Sequence, residues 1–104
     1  MIYEKKTREV VLVDYCRSPQ GRGAAKGKPG FFDACRPDDL GILVIEDLMR
    51  RTRIDRNAVD GVYAGSPNLS YVQGNMGRAL ALMTCGFDTR ALTLDRACTS
   101  GMTT

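Results

Sequence analysis

Short apolar runs alternate with segments of helical periodicity along the whole chain, and that alternation leaves few architectures open. Residues 8–14 (Arg-Glu-Val-Val-Leu-Val-Asp) place four apolar residues in a row before turn formers, the pattern of a strand buried on both faces. Pro37, Asp38 and Asp39 then open a helix. Proline fits a first turn, the carboxylates suit the positive end of the helix dipole, and Arg50, Arg51 and Arg53 suit its negative end. Leu40, Leu43, Val44, Ile45, Leu48 and Met49 give that helix one face to bury. Residues 58–64 read as a second strand, broken by Gly65, Ser66, Pro67 and Asn68. Met76, Ala79, Leu80, Leu82 and Met83 predict a second helix over residues 75–84, with Gly86 at its C-terminal cap. Residues 91–94 make a third short strand, which runs into Asp95-Arg96-Ala97-Cys98-Thr99-Ser100-Gly101. Strands and helices in this order require βαβ crossovers and a largely parallel sheet, so the fold class is α/β, βαβαβ followed by the start of a further helix. The last residue, Thr104, falls in the first turn of that helix, so the expectation is a domain cut before completion, with a sheet face left bare.

The 104 residues, 43% hydrophobic and 26% charged, are enough for one modest core and show no compositional sign of disorder. No internal repeat or linker divides them. No apolar run approaches the roughly 18 residues needed to span a bilayer, and Met1-Ile2-Tyr3-Glu4-Lys5-Lys6 lacks the apolar stretch of a secretory signal. The cytoplasm is therefore the expected compartment, with no membrane partner. Cys16, Cys35, Cys85 and Cys98 lie at wide, unequal spacings without a C-x-x-C pair, which argues against a metal site and against a disulfide framework. The net charge of +3 owes much to Arg22, Lys26 and Lys28 in one glycine-rich stretch and gives little support for a nucleic-acid partner. The chain has no histidine, which matters because a cysteine nucleophile usually relies on a nearby base.

Cys98 occupies a favourable place for such a nucleophile, between a short buried strand and a new helix whose first amides and dipole stabilise a thiolate. The small residues Thr99, Ser100 and Gly101 would let a substrate carbonyl approach the sulfur and nearby N–H donors. By position alone, Cys98 can equally be a small buried hydrophobe.

Asp95-Arg96-Ala97-Cys98-Thr99-Ser100-Gly101 resembles the nucleophile motif of the thiolase family, Asn-Arg-x-Cys-x-Ser-Gly. Three further stretches agree in the same order. Val13-Asp14-Tyr15-Cys16-Arg17-Ser18-Pro19-Gln20-Gly21 is similar to the family's opening strand and turn, Val-Asp-x-x-Arg-Thr-Pro-x-Gly. Asp38-Asp39-Leu40-Gly41 is similar to its first helix start, and Gln73-Gly74-Asn75-Met76-Gly77-Arg78 to the segment leading its second helix. The resemblance implies that Cys98 attacks the keto carbon of a 3-ketoacyl-CoA, or runs the reverse Claisen condensation, with coenzyme A as a substrate and no covalently bound cofactor. It also implies a homodimer or homotetramer. The family's histidine bases and second cysteine come from later in the polypeptide, so this segment is expected to be inactive alone, its site completed beyond Thr104 or by a second chain. Asp95 in place of asparagine, Thr99 after the cysteine and the long basic loop depart from the family pattern.

The loop of residues 21–29 fails as a P-loop, since its glycine spacing before Lys28 is one residue too long and Pro29 stands where a magnesium-binding hydroxyl is needed. It fails as a dinucleotide fingerprint because Pro29-Gly30 blocks the helix that must follow. It reads either as a solvated loop or as a contact for CoA phosphates or an acyl carrier. Cys16, Cys35 and Cys85 are expected to pack as small apolar groups, and Arg50, Arg51 and Arg53 to form a solvated helix end. Two other functions fit the same pattern less well: a ketosynthase-like condensing enzyme, against which Arg96 and the Ser100-Gly101 pair speak, and a non-catalytic subunit that keeps the fold.

Overall fold

The structure, a computed structural model, describes residues 7–67 and 74–104. Three earlier readings fall at least partly outside them: the start of the chain, Asn68 in the strand break, and Gln73 in the segment before the second helix. Helix α1 spans Pro37–Thr52 and begins as its sequence requires. Pro37 takes the first turn, and the Asp39 side chain accepts the Arg36 N–H at 3.2 Å. The helix ends at Arg53, which adopts the left-handed conformation (φ 56°) so that its N–H can reach Met49 O at 2.9 Å. A 3-10 turn at Arg56–Ala58 leads into strand β1, Gly61–Gly65. Helix α2 is Met76–Thr84, strand β2 is Arg90–Leu94, and a single turn, α3, covers Ser100–Thr103.

Strands β1 and β2 pair in parallel from Gly61 with Arg90 to Gly65 with Leu94, and α2 makes the crossover between them. The α/β class read from the sequence is thus present in its essential unit. Gly77 lets α2 sit directly on β2, since a Cβ there would come within 2.4 Å of Leu92 O. Ala64, Met76 and Leu80 form the core, with Ile42, Ile45 and Val62 packed against it. Arg56 ties the outer parts together. It donates to the Glu46 carboxylate on α1 and, at 2.9 Å, to Thr84 O at the end of α2.

The first expected strand is not formed. Residues 8–14 make no ladder, and Val10 and Leu12 are 88% and 86% exposed. A strand's N–H and C=O groups need a neighbouring edge, and the sheet among the described residues consists of β1 and β2. The βαβαβ order therefore becomes αβαβα. Residues 14–16 instead lie along α1: Asp14 pairs with Arg51 at 2.9 Å, Arg51 also donates to Tyr15 O at 2.6 Å, and Cys16 Sγ donates to Val44 O at 3.2 Å. So Arg51 is an anchor rather than part of a solvated helix end. Arg50 remains at the surface, paired with Asp47.

Two local expectations also change. Gly86 does not cap α2 in a left-handed conformation; Cys85 is the cap, in extended geometry. The glycine serves close approach, because a Cβ there would meet Asn57 Oδ1 at 2.9 Å. Cys35 is exposed rather than packed, while Cys16 and Cys85 are half-buried. The glycine-rich loop holds a tight two-residue turn at Lys26 (φ 44°) and Gly27 (φ 74°), closed by mutual backbone bonds between Ala25 and Lys28. No helix among the described residues is long and apolar enough to cross a membrane.

Candidate active site

Because β1 and β2 are parallel, their C-terminal ends meet at one edge of the sheet, where ligand sites of α/β folds lie. Cys98 leaves β2 at that edge, four residues past Leu94, with an exposed free thiol. Among the described residues Cys98 is not packed as a buried hydrophobe.

The turn that carries it is tightly determined. Asp95 Oδ1 accepts the Ala97 N–H at 2.9 Å, and Ala97 adopts φ 48°, a region that costs a side-chain-bearing residue about 1–2 kcal/mol. Aspartate in place of the expected asparagine leaves this bond intact, since the turn asks only for an acceptor oxygen. Ser100 Oγ accepts the Arg96 N–H at 2.8 Å and donates to Ala97 O at 2.8 Å. The Thr99 hydroxyl donates to Arg96 O at 2.9 Å.

One expectation about electrophile binding needs correction. The amides of Thr99 and Ser100 are not free donors, because they bond to Arg96 O at 3.1 Å and Ala97 O at 3.2 Å. Among the described residues, the amide in residues 96–100 without such an acceptor is that of Cys98 itself.

Beneath the turn, three groups hold the end of β2 to the start of α2. Thr93 Oγ1 accepts the Gly77 N–H at 2.9 Å and donates to Asn75 Oδ1 at 2.7 Å, while Asn75 Oδ1 also accepts the Arg78 N–H at 3.1 Å. Gly65 lies against the other side of the turn; a Cβ there would be 2.6 Å from both C and O of Ser100. The sequence held a signal for Gly65, since glycine at a strand end often marks close backbone approach. Nothing local announced Thr93.

Comparison with known proteins identifies the family. Residues 10–104 match the family described as Thiolase, N-terminal domain. The 3-ketoacyl-CoA thiolase of Bacillus subtilis (strain 168) is 32% identical over 97 residues, covering 91% of this chain and 24% of the relative. That of Marinobacter nauticus is 36% identical over 98 residues, with the same coverage of 91% and 24%. The chain therefore spans about a quarter of the length of these curated relatives. Among solved structures, the Acat5 thiolase from Ascaris suum, determined in complex with coenzyme A, superimposes with a TM-score of 0.64 at 20% identity, over 67% of this chain and 19% of that one. At that identity the likeness concerns the fold alone, and it is consistent with the α/β class of this chain. With the family match running from residue 10 through the Cys98 turn, the chain belongs to the thiolase family.

Proposed function

We propose that Cys98 is the acyl-accepting nucleophile of a thiolase-type acyl-CoA acyltransferase, and that this chain supplies the nucleophile-bearing part of its site. The observation that carries the reading is an exposed thiol on a strained, heavily hydrogen-bonded turn at the C-terminal edge of a parallel sheet, inside the segment matched to the family. Cys98 thiolate adds to the keto carbon of a 3-ketoacyl-CoA, with the uncommitted Cys98 N–H as one donor to the developing oxyanion. Collapse breaks the bond between C2 and C3. The electron pair leaves on C2, is protonated there, and acetyl-CoA departs, leaving the acyl group as a thioester on Sγ. The thiol of a second coenzyme A, deprotonated as it attacks, then displaces Cys98 and carries the acyl group away. Run backwards, the sequence is a Claisen condensation.

Protonating C2 needs an acid and deprotonating the coenzyme A thiol needs a base, and the 104 residues contain no histidine for either role. In this reading, as the family resemblance implies, the acid and base are supplied by residues other than these 104, in the same polypeptide or a second chain, and the working protein is a homodimer or homotetramer. The test is thiolysis of acetoacetyl-CoA by the complete active assembly. Cys98→Ala should lower turnover by about 10³-fold or more. Turnover of malonyl-CoA with none of acetoacetyl-CoA would point to the decarboxylating ketosynthase chemistry instead. Robust thiolysis by the pure 104-residue chain would contradict the placement of the bases elsewhere.

A further inference from the structure

We propose that Ser100 is a positioning residue for the nucleophile: its hydroxyl holds the left-handed turn at Ala97 that presents Cys98, and β1 braces that serine through the bare backbone of Gly65. The inference rests on the reading of Cys98 as the acyl-accepting group and names what fixes its geometry. Ala97 at φ 48° has no intrinsic reason to stay there, because an L side chain disfavours the region and persists in it only when its surroundings over-determine it. The Ser100 hydroxyl supplies that constraint on both sides of the residue. It accepts the N–H of Arg96 before it and donates to the C=O of Ala97 itself, each at 2.8 Å. Ser100 is 2% exposed, so water does not compete for either bond.

The direction of these bonds separates positioning from ordinary helix capping. A serine at a helix start normally accepts amides further along the helix. This one reaches backward to residues 96 and 97, and the actual cap residue of α3, Thr99, makes no side-chain cap bond. The serine therefore contributes to the turn and not to the helix. Its own position is set from below. A Cβ on Gly65 would fall 2.6 Å from Ser100 C and O and 2.8 Å from Gly101 N, so only the bare glycine backbone allows this contact. Gly65 is in turn paired with Leu94, the last residue of β2, so the brace and the strand that delivers Cys98 move as one body.

The experiment uses the complete active assembly and follows three quantities by mass spectrometry of the Cys98 peptide: the maximal rate of acylation by acetyl-CoA, its half-saturating concentration, and the rate of alkylation by iodoacetamide. In Ser100→Ala the maximal acylation rate should fall about 10- to 100-fold, the scale expected from a misplaced reacting group. Half-saturation and alkylation should each stay within about twofold of wild type, since binding and access to the thiol are not what the hydroxyl controls. The double variant Ala97→Gly/Ser100→Ala should recover most of the acylation rate, because glycine takes the left-handed conformation without a clamp. Acylation by Ser100→Ala at the wild-type rate overturns the inference alone. So does an equal loss of acylation and alkylation. If Ser100→Ala does not fold, the double variant decides: a folded double variant that acylates at the wild-type half-saturation supports the inference, and a folded one that does not acylate overturns it. Acylation that persists in Cys98→Ala overturns the nucleophile reading and this inference with it.

Discussion

Arg56 illustrates how a single side chain can join three parts of the molecule that no local pattern relates. Its guanidinium meets the Glu46 carboxylate from α1 and the last-turn carbonyl of Thr84 from α2, while its own backbone belongs to the 3-10 turn before β1. The hydrogen bond from Arg56 holds the Glu46 carboxyl below its ordinary value; desolvation opposes it, and the arginine's charge adds a lesser lowering. A carboxylate whose folded value is depressed contributes stability that is present above its unfolded value and is lost as pH falls through the folded one. The pair is solvent-exposed, so the contribution is small. Carboxyl titration by NMR should place the Glu46 midpoint below the ordinary range, and Arg56→Met should return it upward; an unchanged midpoint would contradict the link. Residue-level legibility was uneven for a physical reason. Cys98 could be picked out as a candidate because strand, turn and thiol are contiguous in sequence. Gly65 and Thr93 act across space on that turn, and their roles follow only from the pairing of β1 with β2 and of β2 with α2.

Among the elements, the two helices were readable because what specifies them is local. Proline and the aspartates mark the start of α1 and apolar periodicity marks both segments as helices, although Leu43 of α1 and Leu82 and Met83 of α2, read as part of the apolar pattern, are exposed. The strands β1 and β2 were readable to within a few residues. Residues 8–14 have the strongest strand composition in the chain and yet form no ladder in the structure, because β structure is completed by pairing with a neighbour, which composition alone does not specify. The packing of α2 on β2 carries a testable consequence in which two effects oppose each other. Replacing Gly77 by alanine would favour the helix by about 1 kcal/mol on propensity. The added Cβ, however, would stand 2.4 Å from Leu92 O, a backbone atom of a paired strand that cannot simply rotate away. Such overpacking typically costs about 1–3 kcal/mol, so the clash should win and Gly77→Ala should lower the melting temperature of the assembly. A rise in melting temperature would show that α2 is not seated this closely.

For the whole molecule, the balance of buried and exposed apolar surface sets the expectation. The described residues bury Met49, Ala64, Met76, Leu80 and Ala81, while Val10, Val11, Leu12, Val13 and Phe87 remain largely exposed. Such a core is thin for a chain of this length. The isolated 104-residue polypeptide should therefore bind hydrophobic dyes and melt without a sharp cooperative transition. A steep two-state melt of the monomer would contradict this. The proposed function assigns the acid and base to residues beyond these 104, because a cysteine nucleophile usually relies on an imidazole and the sequence has no histidine. The most direct test of the central claim is denaturing mass spectrometry of the active assembly after brief exposure to acetyl-CoA, with Cys98→Ala as control. An acetyl group on the peptide containing Cys98, absent from the variant, is the predicted result. No acetyl adduct on any chain, or one that survives in the variant, would contradict Cys98 as the nucleophile.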